Sequence, residues 1–498
     1  MPIRCIVHFA QVHSEFRLPE LESIAELYDF RFSRPAPGSL QDSSSEDWDP
    51  MRPFWVMDFE REEHARYLAE RCILVKSVYE LYGRGSSYES VYAQTRENKH
   101  LWVPYAENTS FRFTVMGYNY SIPLRRVKEI VESFRFMDFR GPIDLKNPEL
   151  TLSVFEEYAD RGTATVRNRH GGDGEFSQIY FGRLVAEGKA RALVGKFDVK
   201  KRAYFGNTSM EAEISLLMAN QTLASPGKFI YDPFIGTGSM AYTVAHFGAL
   251  VFGSDIDGRQ MRGKYDEPGI LRAAAQYGVA NRVLDLCTFD ITRNPLRCGG
   301  LFDAIITDPP YGVRAGAKRL GRKPTDKKAD RERKPEYDEA QRKGLIEYVP
   351  PKHAYELSEL VSDLVQFARY LLRPNGRLVF FLPTVTDEYA EVDVYSMLCE
   401  GMEVVANSVQ SFGSWGRRLI TIKKTTGTYY PSPFETSKEG KDRVSVSAPD
   451  RTGNGGHVPA HKDFREKYFK GFRRDTDENE PGMPQVGQLT EQNGGRSG

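Results

Sequence analysis

The sequence predicts an α/β protein: a doubly wound, mostly parallel sheet in its carboxy-terminal half, preceded by smaller α+β units. Three observations predict it. From about Ala203 onward, short apolar strands alternate with turns and amphipathic helices, and several strands end on an aspartate. Before that point strand-like and helix-like stretches interleave in short units. After Tyr430 the apolar periodicity stops.

In the first half, Ile3–Phe9 reads as a strand, and Leu18, Leu21, Ile24 and Leu27 recur at helical spacing. Residues 39–50 are polar and acidic, which predicts a mobile loop, and Phe54–Phe59 returns to strand. Strands are predicted at 73–79 and 111–116, then a helix with Leu124, Val127, Ile130, Val131 and Phe134 on one face, then strands at 150–155 and 179–185. This alternation divides into units at 1–100 and 101–200.

The second half, 203–428, opens with a strand at 228–231. It runs into Asp232-Pro-Phe-Ile-Gly-Thr-Gly-Ser239 and a helix at 240–247, followed by a strand at 250–253 that leads to Asp255. The strand Phe302–Thr307 stops at Asp308-Pro-Pro-Tyr311. A long helix carries Leu357, Leu360, Val361, Leu364, Ala368, Leu371 and Leu372, and Pro374-Asn375-Gly376 turns it into a strand at 377–382. Such units stack into a doubly wound sheet that binds ligands outside the carboxyl ends of its strands. The tail, 429–498, is rich in Gly, Ser, Pro, Asn and charge, too little apolar surface to offset its ordering entropy, and is expected to be disordered. Within it, 464–472 alternates aromatic and basic residues, as either plain tail or a docking segment.

Composition narrows the partners. With 68 basic and 68 acidic side chains the net charge is zero, so a polyanion would have to be held by local patches. The 5 cysteines are far apart, without zinc-site or disulfide-scaffold spacing, so no metal is expected and a reducing compartment is. The start lacks the hydrophobic stretch of a signal peptide and no segment approaches the roughly eighteen apolar residues of a membrane span, which predicts a cytoplasmic protein with no membrane partner.

The loop 232–239 needs Gly236 and Gly238, where the chain turns tightly and a ligand must approach the backbone. It lacks the three-glycine dinucleotide fingerprint and the Gly-Lys-Ser/Thr of a P-loop. Asp255, at the end of the next strand, is either a solvated strand-end carboxylate or an acceptor for ribose hydroxyls; Asp257 competes for that role. Asp308-Pro309-Pro310-Tyr311 is more specific. Two prolines hold the chain extended and remove two amide donors, leaving carbonyls to face a cleft. An exocyclic amine on a base is weakly nucleophilic because its lone pair is delocalised. Hydrogen bonds to the Asp308 carboxylate and the Pro309 carbonyl would draw it towards a reactive geometry, with Tyr311 stacked on the base.

These two motifs resemble those of the class I, Rossmann-like methyltransferases that modify amino groups of nucleic-acid bases. The wider sequence is similar to the family of eukaryotic tRNA guanine-10 N2-methyltransferase catalytic subunits. Asp144-Leu-Lys-Asn-Pro-Glu149 with the strand after it resembles a THUMP domain behind a ferredoxin-like unit, and Arg202-Ala-Tyr-Phe-Gly-Asn-Thr-Ser-Met210 matches that family's connecting segment. The resemblance covers about 1–430. It implies S-adenosylmethionine as cofactor, with Asp232, Phe234, Gly236, Thr237 and Gly238 along its methionine and ribose part. It also implies Asp255 and Ile256 at the ribose, and Asp290 and Ile291 at the adenine. Asp308, Pro309, Pro310 and Tyr311 would orient a guanine amine. It further implies tRNA as partner and a small zinc-binding activator subunit.

Alternatives stay open at this stage. Asp-Pro-Pro-Tyr also serves adenine-N6 and other guanine-N2 methylation, and a non-catalytic RNA-binding scaffold would keep the same fold. Cytosine-C5 chemistry is disfavoured, since Cys287 and Cys298 do not stand at the catalytic turn. Arg167, Arg169 and His170 are a phosphate-binding loop or solvated charge. The basic run Arg314, Lys318, Arg319, Arg322, Lys323, Lys327, Lys328, Arg331, Arg333 and Lys334 is a lid that orders on RNA or a plain insertion.

Overall fold

Short apolar runs make the strands of the first half, and most of their residues are buried on both faces of the sheet. The computed structural model describes residues 2–35, 48–158, 176–263, 269–313, 316–321, 351–434 and 458–471. The first strands are β1 (Ile3–Phe9), β2 (Phe32–Ser33), β3 (Phe54–Phe59), β4 (Val75–Gly85), β5 (Phe111–Tyr118), β6 (Leu150–Tyr158) and β7 (Phe176–Glu187). They form one sheet in the order β2-β3-β1-β4-β7-β6-β5. Its neighbours run antiparallel, except for the parallel pair β5 and β6. β4 pairs with β1 on one side and β7 on the other, so the sheet continues across the position near residue 100 where a boundary was expected. The helix Leu124–Ser133 packs mainly through its carboxyl end: Ile130 and Phe134 are buried, while Leu124 is 71% exposed.

The second half adds β8 (Phe229–Asp232), β9 (Leu250–Asp255), β10 (Val283–Thr288), β11 (Phe302–Thr307), β12 (Lys318–Leu320), β13 (Lys352–Ala354), β14 (Leu372–Val385), β15 (Met402–Ser411) and β16 (Trp415–Lys424). Its main sheet has the order β10-β9-β8-β11-β14-β16-β15, and β12 pairs with β13 apart from it. The strands from β10 to β14 are parallel, and β14, β16 and β15 are antiparallel. This is the doubly wound class expected. The chain winds outward from β8 to β10, then re-enters at β11 on the other side of β8. The crevice at such a reversal lies outside the carboxyl ends of β8 and β11.

Two details depart from the sequence reading. The turn 374–376 sits inside β14: Asn375 takes a left-handed φ of 64°, and the pairing with β11 jumps from Phe302↔Leu372 to Ala304↔Arg377, so the extra residues form a bulge. The tail is partly folded, since 458–471 packs on the second half and contains the helix Phe464–Lys470. The rest of the tail after 434, Arg167, Arg169, His170, and the basic run apart from Lys318 and Arg319 lie outside the described residues.

The two halves share one apolar core, in which Leu21 and Ile24 join Leu216, Leu217 and Ile230. Polar groups lock the seam. Arg377 donates to Ser23 Oγ at 3.0 Å, to the Gln221 carbonyl at 2.8 Å and to Glu26 at 2.6 Å. Glu20 accepts from the Ile73 and Leu74 amides and from Asn220 Nδ2, and burial pushes its carboxyl up to about 7. No helix among the described residues is long and apolar enough to cross a membrane.

Candidate functional site

The glycine loop leaves β8 with Gly236 at φ 52° and Gly238 at φ 82°, the region that favours glycine. At Gly238 a Cβ would lie 2.9 Å from the Tyr242 hydroxyl oxygen, whereas at Gly236, among the described residues, it would meet nothing nearer than the Phe234 carbonyl at 3.8 Å. The Gly236 backbone therefore borders open space. Asp255 closes the loop from β9: Oδ2 accepts from the Gly236 amide at 3.0 Å and Oδ1 from the Asp257 amide at 2.8 Å. Burial raises the Asp255 carboxyl. Asp257 caps a helical turn and pairs with Arg259 at 2.7 Å, and that hydrogen-bonded guanidinium lowers its carboxyl. The two aspartates left open by the sequence are thus separated, Asp255 towards the loop and Asp257 towards the outer arginine.

Residues 308–311 emerge beside this loop, because β8 and β11 are parallel neighbours. Thr307 Oγ1 donates to Asp232 Oδ1 at 2.9 Å, and the Phe234 amide donates to the same oxygen. Asp232 is fully buried, and its carboxyl is pushed up to about 8, chiefly by burial, with Asp255 and Asp308 adding repulsion. Asp308 is half-buried; its Oδ1 is sealed from solvent and takes no hydrogen bond from the described residues. Burial pushes the Asp308 carboxyl up to about 6, and Arg417 opposes that rise. Pro309 is buried, Pro310 and Tyr311 half-buried. The Tyr311 ring meets Phe464 edge to face.

At the far side, Asp290 Oδ1 caps Thr292 and Oδ2 accepts from the Leu320 amide at 2.5 Å. Ile291 belongs to the core below. Lys352 on β13 donates to the Ile256 carbonyl at 3.0 Å. The β12–β13 ribbon therefore crosses the ends of β9 and β10 and ties Ile256 to the Asp290 turn.

Arg417 escaped the sequence reading, and the segment 202–210 was legible there only as a family motif. Arg417 holds Gln410, Glu211 and Met210 Sδ beside Asp308, yet in sequence it is one charge in an Arg-Arg pair. The segment 202–210 clamps the glycine loop from outside: Arg202 and the Met210 amide both donate to Ser239 Oγ, and Ser209 Oγ lies 2.8 Å from Thr237 Oγ1. The signal for that segment was its motif alone.

Comparison with known proteins gives a consistent picture. Residues 3–190 match the family described as the Tmrp11 THUMP N-terminal domain, and residues 200–325 the RMKL-like methyltransferase domain. The chain is 35% identical over 471 residues to the tRNA (guanine(10)-N(2))-methyltransferase of Saccharomyces cerevisiae, covering 94% of this chain and 99% of that one. It is 35% identical over 494 residues to the Schizosaccharomyces pombe protein of that name, covering 94% and 97%. With the human tRNA (guanine(10)-N(2))-methyltransferase TRMT11 the identity is 33% over 487 residues, covering 95% and 96%.

Proposed function

Since the chain belongs to the tRNA (guanine(10)-N(2))-methyltransferase family, we propose that it transfers a methyl group from S-adenosylmethionine to the exocyclic N2 of guanosine 10 in tRNA. The observation that carries the chemistry is Asp308 Oδ1, buried with no hydrogen-bond donor among the described residues, beside an open glycine loop. A buried acceptor left unmet costs free energy, so it is a place for a ligand donor.

The residues present fit the cofactor. Gly236 leaves backbone open where a side chain would fill the space, and Asp255 stands at the loop with a carboxylate held by two amides. Asp232, Phe234, Gly236, Thr237 and Gly238 would border its methionine and ribose part, and Asp255 and Ile256 its ribose. Asp290 and Ile291 would stand at the adenine end. When bound, it supplies a methyl group on a positively charged sulfur.

Asp308 accepts a hydrogen bond from the guanine amine and takes up the proton that N2 sheds as it gains the methyl. With its carboxyl at about 6 it is mostly ionised at neutral pH, and Arg417 helps keep it so. The Pro309 carbonyl accepts the second amine hydrogen, Pro310 keeps the turn extended, and Tyr311 packs on the guanine ring. The locked seam between the halves sets the distance from the THUMP-like half, which grips tRNA by shape and phosphate, to this turn.

A small zinc-binding activator is proposed as partner, supported by β10, an edge strand on which Leu284 is 52% exposed. Five free cysteines support a reducing compartment, the cytoplasm. The test is methylation of a tRNA pool with labelled cofactor, followed by nucleoside mass spectrometry and mapping. N2-methylguanosine at position 10 is expected; its absence would refute the proposal.

A further inference from the structure

The folded piece of the tail lies directly on the catalytic turn. It is anchored from behind: the Val385 amide donates to the Ala460 carbonyl at 3.3 Å, and the Ala460 amide to Asp393 Oδ2 at 3.0 Å. Lys467 pairs with Glu388. Ala460, His461 and Phe464 are buried. Phe464 meets the Trp415 ring at 5.6 Å and the Tyr311 ring at 6.4 Å with an interplanar angle of 80°, and Tyr468 packs edge-on against Trp415. The next residue covers the turn itself: a Cβ on Gly312, whose φ is 94°, would lie 2.9 Å from Arg465 Cδ.

We propose that Phe464 and Arg465 are positioning residues, which hold the 308–312 turn in the form that receives the target base. This rests on the methylation proposed above. The turn contains two prolines and ends on a glycine; the prolines fix their own backbone but not where the Tyr311 ring points. An aromatic partner edge to face orients a ring without covering both of its faces. Phe464 is itself held by Trp415, which opens the strand that carries Arg417, so one buried ring links both sides of the Asp308 site. A base-stacking ring misplaced by about 1 Å loses as much as ~100-fold in rate.

The experiment is steady-state methylation of a tRNA transcript by the full-length chain and its Phe464→Ala, Phe464→Tyr and Arg465→Ala variants, with cofactor and tRNA affinities measured separately. Phe464→Ala is expected to lower kcat about tenfold or more, with both affinities within about twofold of wild type. Phe464→Tyr, which keeps the ring, should restore most of the loss. Arg465 is exposed, so Arg465→Ala leaves folding intact and should lower kcat about threefold; it decides the matter if Phe464→Ala does not fold. Unchanged kcat overturns the inference. So does a raised kcat, which would make the segment an obstruction, or a loss confined to tRNA affinity, which would make it an RNA-binding element. Wild-type chain that leaves guanosine 10 unmethylated would overturn the functional proposal and this inference together, whereas active wild type with normal variants overturns the inference alone.

Discussion

Thr307 donates its hydroxyl hydrogen to Asp232 across 2.9 Å, joining the last residue of β11 to the last residue of β8. The glycine loop and the Asp-Pro-Pro-Tyr turn are thereby tied at their roots, where each leaves the sheet. Thr307→Val keeps the shape and removes the donor. It should cost about 1–3 kcal/mol, the penalty of leaving a buried acceptor less satisfied, read as a lowered midpoint in chemical denaturation.

Asp308→Asn retains size and loses the charge. We expect kcat to fall about 100- to 1,000-fold, the range for removing one preorganised polar group at a reacting centre. Calorimetric affinity for S-adenosylmethionine should stay within about threefold. A variant that methylates at the wild-type rate would remove Asp308 from the mechanism.

The pH dependence follows from the same carboxyl. Below about 6 Asp308 is mostly protonated and cannot take up the proton that N2 sheds, so kcat should rise with pH through about 6 and level off above it. Asp308→Asn should lack that limb. Asp232 acts on stability instead. Its folded carboxyl stands at about 8, against about 4 in an unfolded chain. Between those values the folded state holds a proton that the unfolded state has released. Its stabilising contribution is therefore full below about pH 4 and lost as pH rises through about 8. Asp232→Asn should flatten that fall in a series of melts.

The two loop glycines should differ in their tolerance of alanine. At Gly236 the only penalty is the left-handed φ, about 1–2 kcal/mol. At Gly238 the added methyl also meets the Tyr242 hydroxyl, which donates to the Thr237 carbonyl at 2.8 Å. Gly238→Ala should therefore be the less stable variant, and equal melting temperatures would contradict the close packing. Gly236→Ala, by contrast, should lose cofactor affinity while remaining folded.

Arg377→Ala removes a buried guanidinium that holds Ser23 and Glu26 across the seam and the Gln221 carbonyl on its own side. We expect a loss of about 2–3 kcal/mol, with the larger functional effect on tRNA methylation than on cofactor binding, since only the former needs both halves in register. Equal losses in the two assays would argue against that reading of the seam.

Much of this protein was written locally. Short apolar runs announced Ile3–Phe9 and Phe302–Thr307, and helical spacing announced Leu357–Leu371. Gly236 and Gly238 were readable because a positive φ is a demand of single residues, and Asp308 because two prolines constrain their own backbone. The β15–β16 pair went unread, since Arg417, Arg418 and the Gln410 that faces Arg417 blur its apolar pattern. The folded piece of the tail was legible only as a possible docking segment at 464–472, because the rings that bury Phe464, Trp415 and Tyr311, stand far from it in the chain.

Sequence alone therefore settled which residue types stand in the two loops and that both follow strands, because backbone propensity and side-chain period act over a few neighbouring residues. Only the tertiary structure decided that β8 lies beside β11, that Asp255 rather than Asp257 faces the glycines, that Arg417 sits near Asp308, and that the tail returns to Tyr311. Those outcomes depend on burial and on distances between groups far apart in the chain, and folding sets these quantities for the whole molecule at once.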